Sequence, residues 1–189
     1  MEENIAYYDT YENNLQIELL KLCSSHKALA GTLLSSEDLD ARWHELAPHF
    51  MADAVRQVNS YPMATFAWAA YVGMAVAQRW DQDWERYREE PYEALYGAEG
   101  FDDMDEKIVQ EVLGLELESP EANAIEETLR SAAQLCMTFI RREEVESQSK
   151  KAFYILARTL RVMFRIGAAM QLHRLGYKFE KMAVGERYN

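Results

Sequence analysis

Apolar side chains recur at every third or fourth position along most of the chain, which is the spacing that places them on one face of an α-helix. The longest such face, in the first predicted helix, comprises Tyr8, Tyr11, Leu15, Leu19, Leu22, His26, Leu29 and Leu33. Similar faces follow in several further segments, and no segment alternates apolar and polar residues convincingly enough to predict a strand. The pattern therefore predicts an all-α fold, a bundle of five to six helices.

Capping residues indicate where the predicted helices begin and end. Ser35 and Ser36 precede the second helix, because their hydroxyls can accept hydrogen bonds from free backbone N–H groups. Ser119 followed by Pro120 is the strongest start signal in the chain. Gly176 stands where a left-handed residue would end the last helix.

Two points of helix continuity stay open. Pro48 predicts a kink or a short break in the second helix, because proline removes one backbone hydrogen bond. Residues 142–149 are polar but contain neither Gly nor Pro, so either a turn or a continuous helix fits them. Since short connections favour antiparallel neighbours, we expect one mostly antiparallel domain over residues 1–189, with residues 177–189 as a candidate C-terminal tail.

The segment from Gln57 to Gln78 has no charged residue and is rich in alanine. Its continuously apolar part, from Tyr61 to about Ala77, is at the short edge of what spans a bilayer, so we expect no membrane span and interpret it as a buried core helix. Small side chains let helices approach closely, either in the core of one chain or in a seam between two copies.

Charge is unevenly distributed. The 189 residues carry a formal net charge of −12, yet residues 141–189 hold eleven Lys and Arg against five Asp and Glu. An acidic body disfavours phosphate backbones, so nucleic acid is an unlikely partner. The simplest interpretation of the basic C-terminal quarter is that it neutralises the acidic remainder inside the fold.

Two cysteines, Cys23 and Cys136, lie among apolar helical residues and fit buried reduced thiols better than a disulfide framework. The first residues are acidic and polar, unlike a signal peptide. We therefore expect a cytoplasmic protein.

The second predicted helix carries a candidate metal site. Asp40 and His44 are four residues apart, as are His49 and Asp53, so each pair can share a helix face. Imidazole with carboxylate is the chemistry of a transition-metal site. His44 and His49 are five apart, however, and would diverge in a regular helix. Charge pairing along an acidic helix surface is the alternative interpretation.

The last predicted helix carries a stripe of three arginines, Arg158, Arg161 and Arg165, within a narrow sector of an otherwise apolar helix. Arginines on such a helix need acidic partners or an anion. The stripe could clamp a carboxylate or phosphate ligand, or could dock on a partner or membrane surface. The remaining alternative is pairing with the protein's own surplus of Asp and Glu.

Five aromatic residues of the third predicted helix could line a pocket, although core packing is the commoner role of such a stripe: Trp68, Tyr71, Trp80, Trp84 and Tyr87. The acids at 102–106 do not match a calcium loop and are interpreted as N-terminal residues of a helix. No nucleophile, phosphate-loop or cofactor motif is recognisable, so we expect no cofactor.

The leading functional hypothesis is therefore a non-enzymatic protein–protein interaction or scaffold module whose partner is a protein, for instance a second copy in a homodimer. The alternative is a helical-bundle protein, an enzyme included, that binds a small anion or a metal.

Overall fold

The computed structural model describes residues 2–178. They form six α-helices and no strand, so the all-α prediction is confirmed. The helices are α1 (Glu2–Ser25), α2 (Glu37–Gln57), α3 (Pro62–Tyr87), α4 (Met104–Lys107), α5 (Pro120–Arg142) and α6 (Lys150–Arg174). A 3-10 turn spans Tyr92–Leu95, and α4 continues directly into a π-helical turn at Ile108–Val112. Residues 179–189 of the candidate tail lie outside the described residues.

The predicted caps form as expected. Ser36 and Ser119 accept hydrogen bonds from the backbone N–H groups of Leu39 and Ala122, respectively. At the other end of the chain, Gly176 takes a left-handed φ of 93° and donates its N–H to the carbonyl of His173. The N–H of Tyr177 reaches the carbonyl of Leu172, which completes a Schellman motif. Local hydrogen bonds therefore set these helix ends.

Three details depart from the sequence pattern. The first helix ends at Ser25, before Leu29, and Lys27 adopts a φ of 61° that no helix accommodates. The second helix runs through Pro48 without a break, because Leu46 and Phe50 are buried on either side of it and hold the segment in place. The third helix instead departs from helical geometry at Asp83, whose carboxylate accepts the N–H of Arg86 as an N-cap would.

Residues 142–149, left open by the sequence, break the helix. Glu144 and Gln148 have φ values of 47° and 65°, and Ser149 caps α6 by accepting the N–H of Ala152. This turn reverses the chain, so α6 can pack between α1 and α3.

The centre of the fold is the packing of α3 against α6. Gly73 of α3 lies against the backbone of Phe164 and Ala168, and Gly167 of α6 lies against the backbone of Ala70. The absence of a side chain at both glycines brings the helix axes close together. The alanine-rich face of α3 is thus used within the chain.

Consecutive long helices alternate in direction, but the principal contacts of α6 are with helices that run the same way. Ala70 lies beside Gly167, and further along both helices Gln78 accepts a hydrogen bond from Gln171 at 2.6 Å. With α6 inserted between α1 and α3, its arginine-bearing side faces α1 and α2. None of the helices in residues 2–178 combines the length and apolar character that crossing a bilayer requires.

Candidate functional site

The three arginines of α6 meet a buried carboxylate from α1. Glu12 is only 7% exposed, and one of its oxygens lies 3.2 Å from Arg165 Nη1 and 3.5 Å from Arg161 Nη1. Its other oxygen accepts a hydrogen bond from Arg158. One carboxylate therefore serves all three guanidinium groups.

Two further carboxylates complete this group, which we call the arginine cluster (Asp9, Glu12, Asp40, Arg158, Arg161 and Arg165). Asp9 lies 2.8 Å from Arg158, and Asp40 of α2 lies 3.1 Å from Arg165 Nε. Burial by itself would lower the pKa of Arg158, but Glu12 and Asp9 outweigh it and raise that pKa. The cluster is electrically neutral, and among the alternatives for the stripe these contacts favour internal pairing.

The structure does not group the four candidate ligands as a metal site. Asp40 pairs with Arg165, His44 is exposed, and His49 Nδ1 lies 3.8 Å from a carboxylate oxygen of Glu93. Within residues 2–178, no three His, Cys, Asp or Glu side chains are grouped so that they could hold a metal ion.

Asp53, the fourth candidate, joins α2 to the segment after α3. Its Oδ2 accepts a hydrogen bond from the hydroxyl of Tyr92 at 3.1 Å and another from the hydroxyl of Tyr96. Burial, reinforced by the Asp53 carboxylate, raises the pKa of Tyr96 to about 12. Asp53 thus anchors the 3-10 turn at Tyr92–Leu95 to the bundle.

Replacing Asp53 by alanine is expected to lower the free energy of unfolding by about 1–3 kcal/mol, because two tyrosine hydroxyls lose their acceptor. Urea unfolding followed by circular dichroism measures the change. Asp102→Ala removes an exposed carboxylate and is the control, with little effect expected. Equal urea midpoints for Asp53→Ala and Asp102→Ala would show that the hydrogen bonds of Asp53 do not stabilise the fold.

A partly exposed group of aromatic rings lies where the N-terminal parts of α1 and α6 meet. We call it the aromatic patch; it comprises Tyr7, Tyr8, Phe153 and Tyr154. Ring centroids are 5.2 Å apart for Tyr7 and Tyr8, 5.2 Å for Tyr8 and Tyr154, and 6.0 Å for Phe153 and Tyr154. Phe153 and Tyr154 are 49% and 50% exposed. The rings touch one another; Tyr7 and Tyr8 are partly buried, whereas Phe153 and Tyr154 are open to solvent.

Charges of both signs border the aromatic patch. The hydroxyl of Tyr7 donates to a carboxylate oxygen of Glu143, and the ammonium of Lys151 lies 5.0 Å from the centre of the Tyr7 ring. Exposed Asp9 lies on the α1 side and exposed Lys150 on the α6 side.

The last helix is apolar outside its arginine stripe, yet Phe153 in its first turn lies in solvent and not in the core. Although Tyr8 of α1 contacts Tyr154, none of the described elements fully covers Phe153 and Tyr154, so both side chains remain half exposed. The adjacent Lys150 and Lys151 are the one sequence signal of this exposure, since lysine is seldom fully buried.

A cavity of about 560 Å³ opens between α3, α4 and α5. Trp68 and Tyr71 line it, as their position on the third helix allowed. Asp105 also lines it, although the sequence indicated only a helix-start acid. Asp105 lines the cavity only because α3 and α5 pack beside α4. The residues at 102–106 alone do not indicate this packing.

Comparison with known proteins adds no relative from which a role could be carried over: no protein family, curated protein or solved structure shows a significant match to this chain.

Proposed function

We propose that this protein is a non-enzymatic interaction module that binds a second copy of itself through the aromatic patch. One observation carries the proposal: four aromatic rings are in contact with one another while Phe153 and Tyr154 stay half exposed. Aromatic side chains supply most of the binding energy at protein interfaces, and grouping them in solvent is costly unless a partner covers them.

The distribution of charge supports a second copy as the partner. With a net charge of −12, two copies repel each other over most of their surface. At the aromatic patch this repulsion is reduced, because Lys150 and Lys151 stand beside it together with Asp9 and Glu143. A two-fold interface requires a self-complementary surface, and here the basic edge of one copy can meet the acidic edge of the other.

The alternative hypotheses have less support from the geometry. An anion at Arg158, Arg161 and Arg165 would compete with Asp9, Glu12 and Asp40, which already accept from these guanidinium groups. A metal ion at His44 and His49 would need both imidazoles as ligands, but His44 is exposed to solvent and His49 faces Glu93.

Sedimentation velocity tests the proposal. The double substitution Phe153→Ser and Tyr154→Ser is expected to raise the dissociation constant of the dimer at least about tenfold, or about 1.4 kcal/mol. Both side chains are half exposed, so the variant should keep the wild-type helical circular-dichroism spectrum. Tyr61→Ser, which removes a ring that is 63% exposed at the start of α3, is the control and should dimerise like wild type.

Two results would rule the proposal out. One is a wild-type protein that stays monomeric up to about 100 µM, a concentration at which an interface of standard size would associate. The other is a double variant that dimerises as tightly as the Tyr61→Ser control.

A further inference from the structure

The cavity between α3, α4 and α5 has the size of a site for a small organic molecule. Its volume of about 560 Å³ falls within the range of small-molecule pockets and far exceeds what one metal ion needs. Its apolar wall includes Met63, Val109, Leu117 and Leu129, contributed by α3, the π-helical turn, the connection after it, and α5. An apolar portion of a ligand could therefore be buried there.

The polar part of the wall is strongly acidic. Asp105, Glu106, Glu118 and Glu126 line the cavity with a single basic residue, Arg130. Arg130 already pairs with Glu126 on the same helix. Among residues 2–178, the carboxylates of Asp105, Glu106 and Glu118 have no cationic partner within salt-bridge distance. The cavity thus attracts positive charge and repels anions.

Tyr71 adds a polar group that the fold leaves without a partner. The residue is 5% exposed and lines the cavity, and no group among residues 2–178 forms a hydrogen bond with its hydroxyl. Burial, together with the nearby carboxylates of Asp105 and Glu126, raises the pKa of Tyr71, so the hydroxyl stays neutral. The oxygen is open to the cavity rather than enclosed by the fold, so a bound molecule or water can reach it and supply the missing partner.

The junction of α4 and the π-helical turn contributes one acidic and one apolar residue to the cavity wall. The N–H of Leu113 donates to the carbonyl of Ile108 at 2.9 Å, five residues earlier, and this wider turn begins where α4 ends at Lys107. Asp105 and Val109 are four residues apart and both line the cavity, so the segment presents one carboxylate and one apolar group side by side.

We propose that this cavity binds a small organic ammonium ion that carries an apolar group. The ammonium N–H groups donate to the carboxylate of Asp105 and to the hydroxyl oxygen of Tyr71, and the Trp68 ring contributes a cation–π contact. The apolar group lies against Met63, Val109 and Leu129. This site does not depend on the proposed self-association.

Asp105 is the residue whose replacement separates binding from folding. Burial raises the pKa of Asp105 above the ordinary value for aspartate and outweighs the hydrogen bonds from the backbone and the Trp68 side chain, so the fold disfavours the charged carboxylate. Asparagine has the same shape without that charge, so Asp105→Asn should fold at least as stably as wild type at neutral pH. A loss of binding in this variant then reports on the ligand contact.

Isothermal titration calorimetry with three compounds of similar shape tests the proposal. They are 2-phenylethylamine (an ammonium ion), 2-phenylethanol (neutral) and phenylacetate (an anion). The amine is expected to bind at least about tenfold more tightly than either analogue. Asp105→Asn should weaken amine binding at least about tenfold, and Tyr71→Phe, which removes only the hydroxyl, should weaken it less.

The matched control is Glu111→Gln, which removes an exposed carboxylate from the π-helical turn outside the cavity wall and should bind like wild type. The indole N–H signal of Trp68 in the ¹H–¹⁵N spectrum, assigned with Trp68→Phe, should shift on titration. The double patch variant, Phe153→Ser with Tyr154→Ser, should retain amine binding, so this test and the test of self-association can fail separately.

Three results would overturn the proposal. The first is no binding of either 2-phenylethylamine or a second amine, hexylamine. The second is equal affinity for 2-phenylethylamine and 2-phenylethanol. The third is amine binding by Asp105→Asn and Tyr71→Phe that matches the Glu111→Gln control.

Discussion

Replacing Gly167 by alanine is expected to lower the free energy of unfolding by about 3 kcal/mol or more. A Cβ atom at this position would overlap the backbone carbonyl of Ala70 in the facing helix. Backbone cannot rotate away as a side chain can, so α3 and α6 would have to separate along their whole contact. The same substitution in a helix with free space stabilises it by about 1 kcal/mol, so the sign of the effect is diagnostic.

Urea unfolding of Gly167→Ala, and of Gly73→Ala on the facing helix, measures this effect. The control is Gly100→Ala, where an added Cβ meets nothing within 4 Å and only the φ of 82° causes strain. That strain should cost about 1–2 kcal/mol. If Gly167→Ala unfolded at the wild-type urea concentration or above, the close contact between α3 and α6 would be refuted.

The second large effect is expected from Glu12→Ala, which should lower the free energy of unfolding by about 2–4 kcal/mol. The substitution removes the one carboxylate that lies between Arg158, Arg161 and Arg165, and three positive groups are then left close together. Partial exposure of the arginines keeps the loss below that of a fully buried pair. Added salt should restore part of the stability, because it screens the repulsion among the arginines.

Asp9→Ala is the matched control for Glu12→Ala. Asp9 also pairs with Arg158, but its side chain is 58% exposed, so its loss should cost less than about 1 kcal/mol. Chemical denaturation at low and high salt distinguishes the two variants. Equal destabilisation by both substitutions would mean that the burial of Glu12 contributes nothing to the arginine cluster.

The arginine cluster shows which part of a candidate site can be predicted from the sequence. Helical spacing alone placed Arg158, Arg161 and Arg165 on one side of the last helix. The apolar character of that helix indicated that these arginines need acidic partners. Spacing could not identify those partners, because Glu12 lies 146 residues before Arg158 in the chain. The same limit applies to the aromatic patch, since Tyr8 and Tyr154 meet only because α1 and α6 begin at the same end of the fold.

The sequence by itself determined the helical class and most helix ends. Ser119 and Gly176 act through hydrogen bonds to groups within five residues, so their effect can be deduced without knowing the rest of the fold. Pro48 shows the boundary of such local rules: its tendency to break α2 is outweighed by the burial of the residues around it.

Tertiary structure alone decided which helix faces meet. The contact of Gly73 and Gly167 with facing backbone, the burial of Glu12 and the cavity beside Asp105 all depend on how surfaces distant in sequence fit together. Periodicity specifies that a face is apolar, but many helices could cover it. Close packing selects one arrangement, because only complementary shapes fill the space between helices without overlap or unpaired charge.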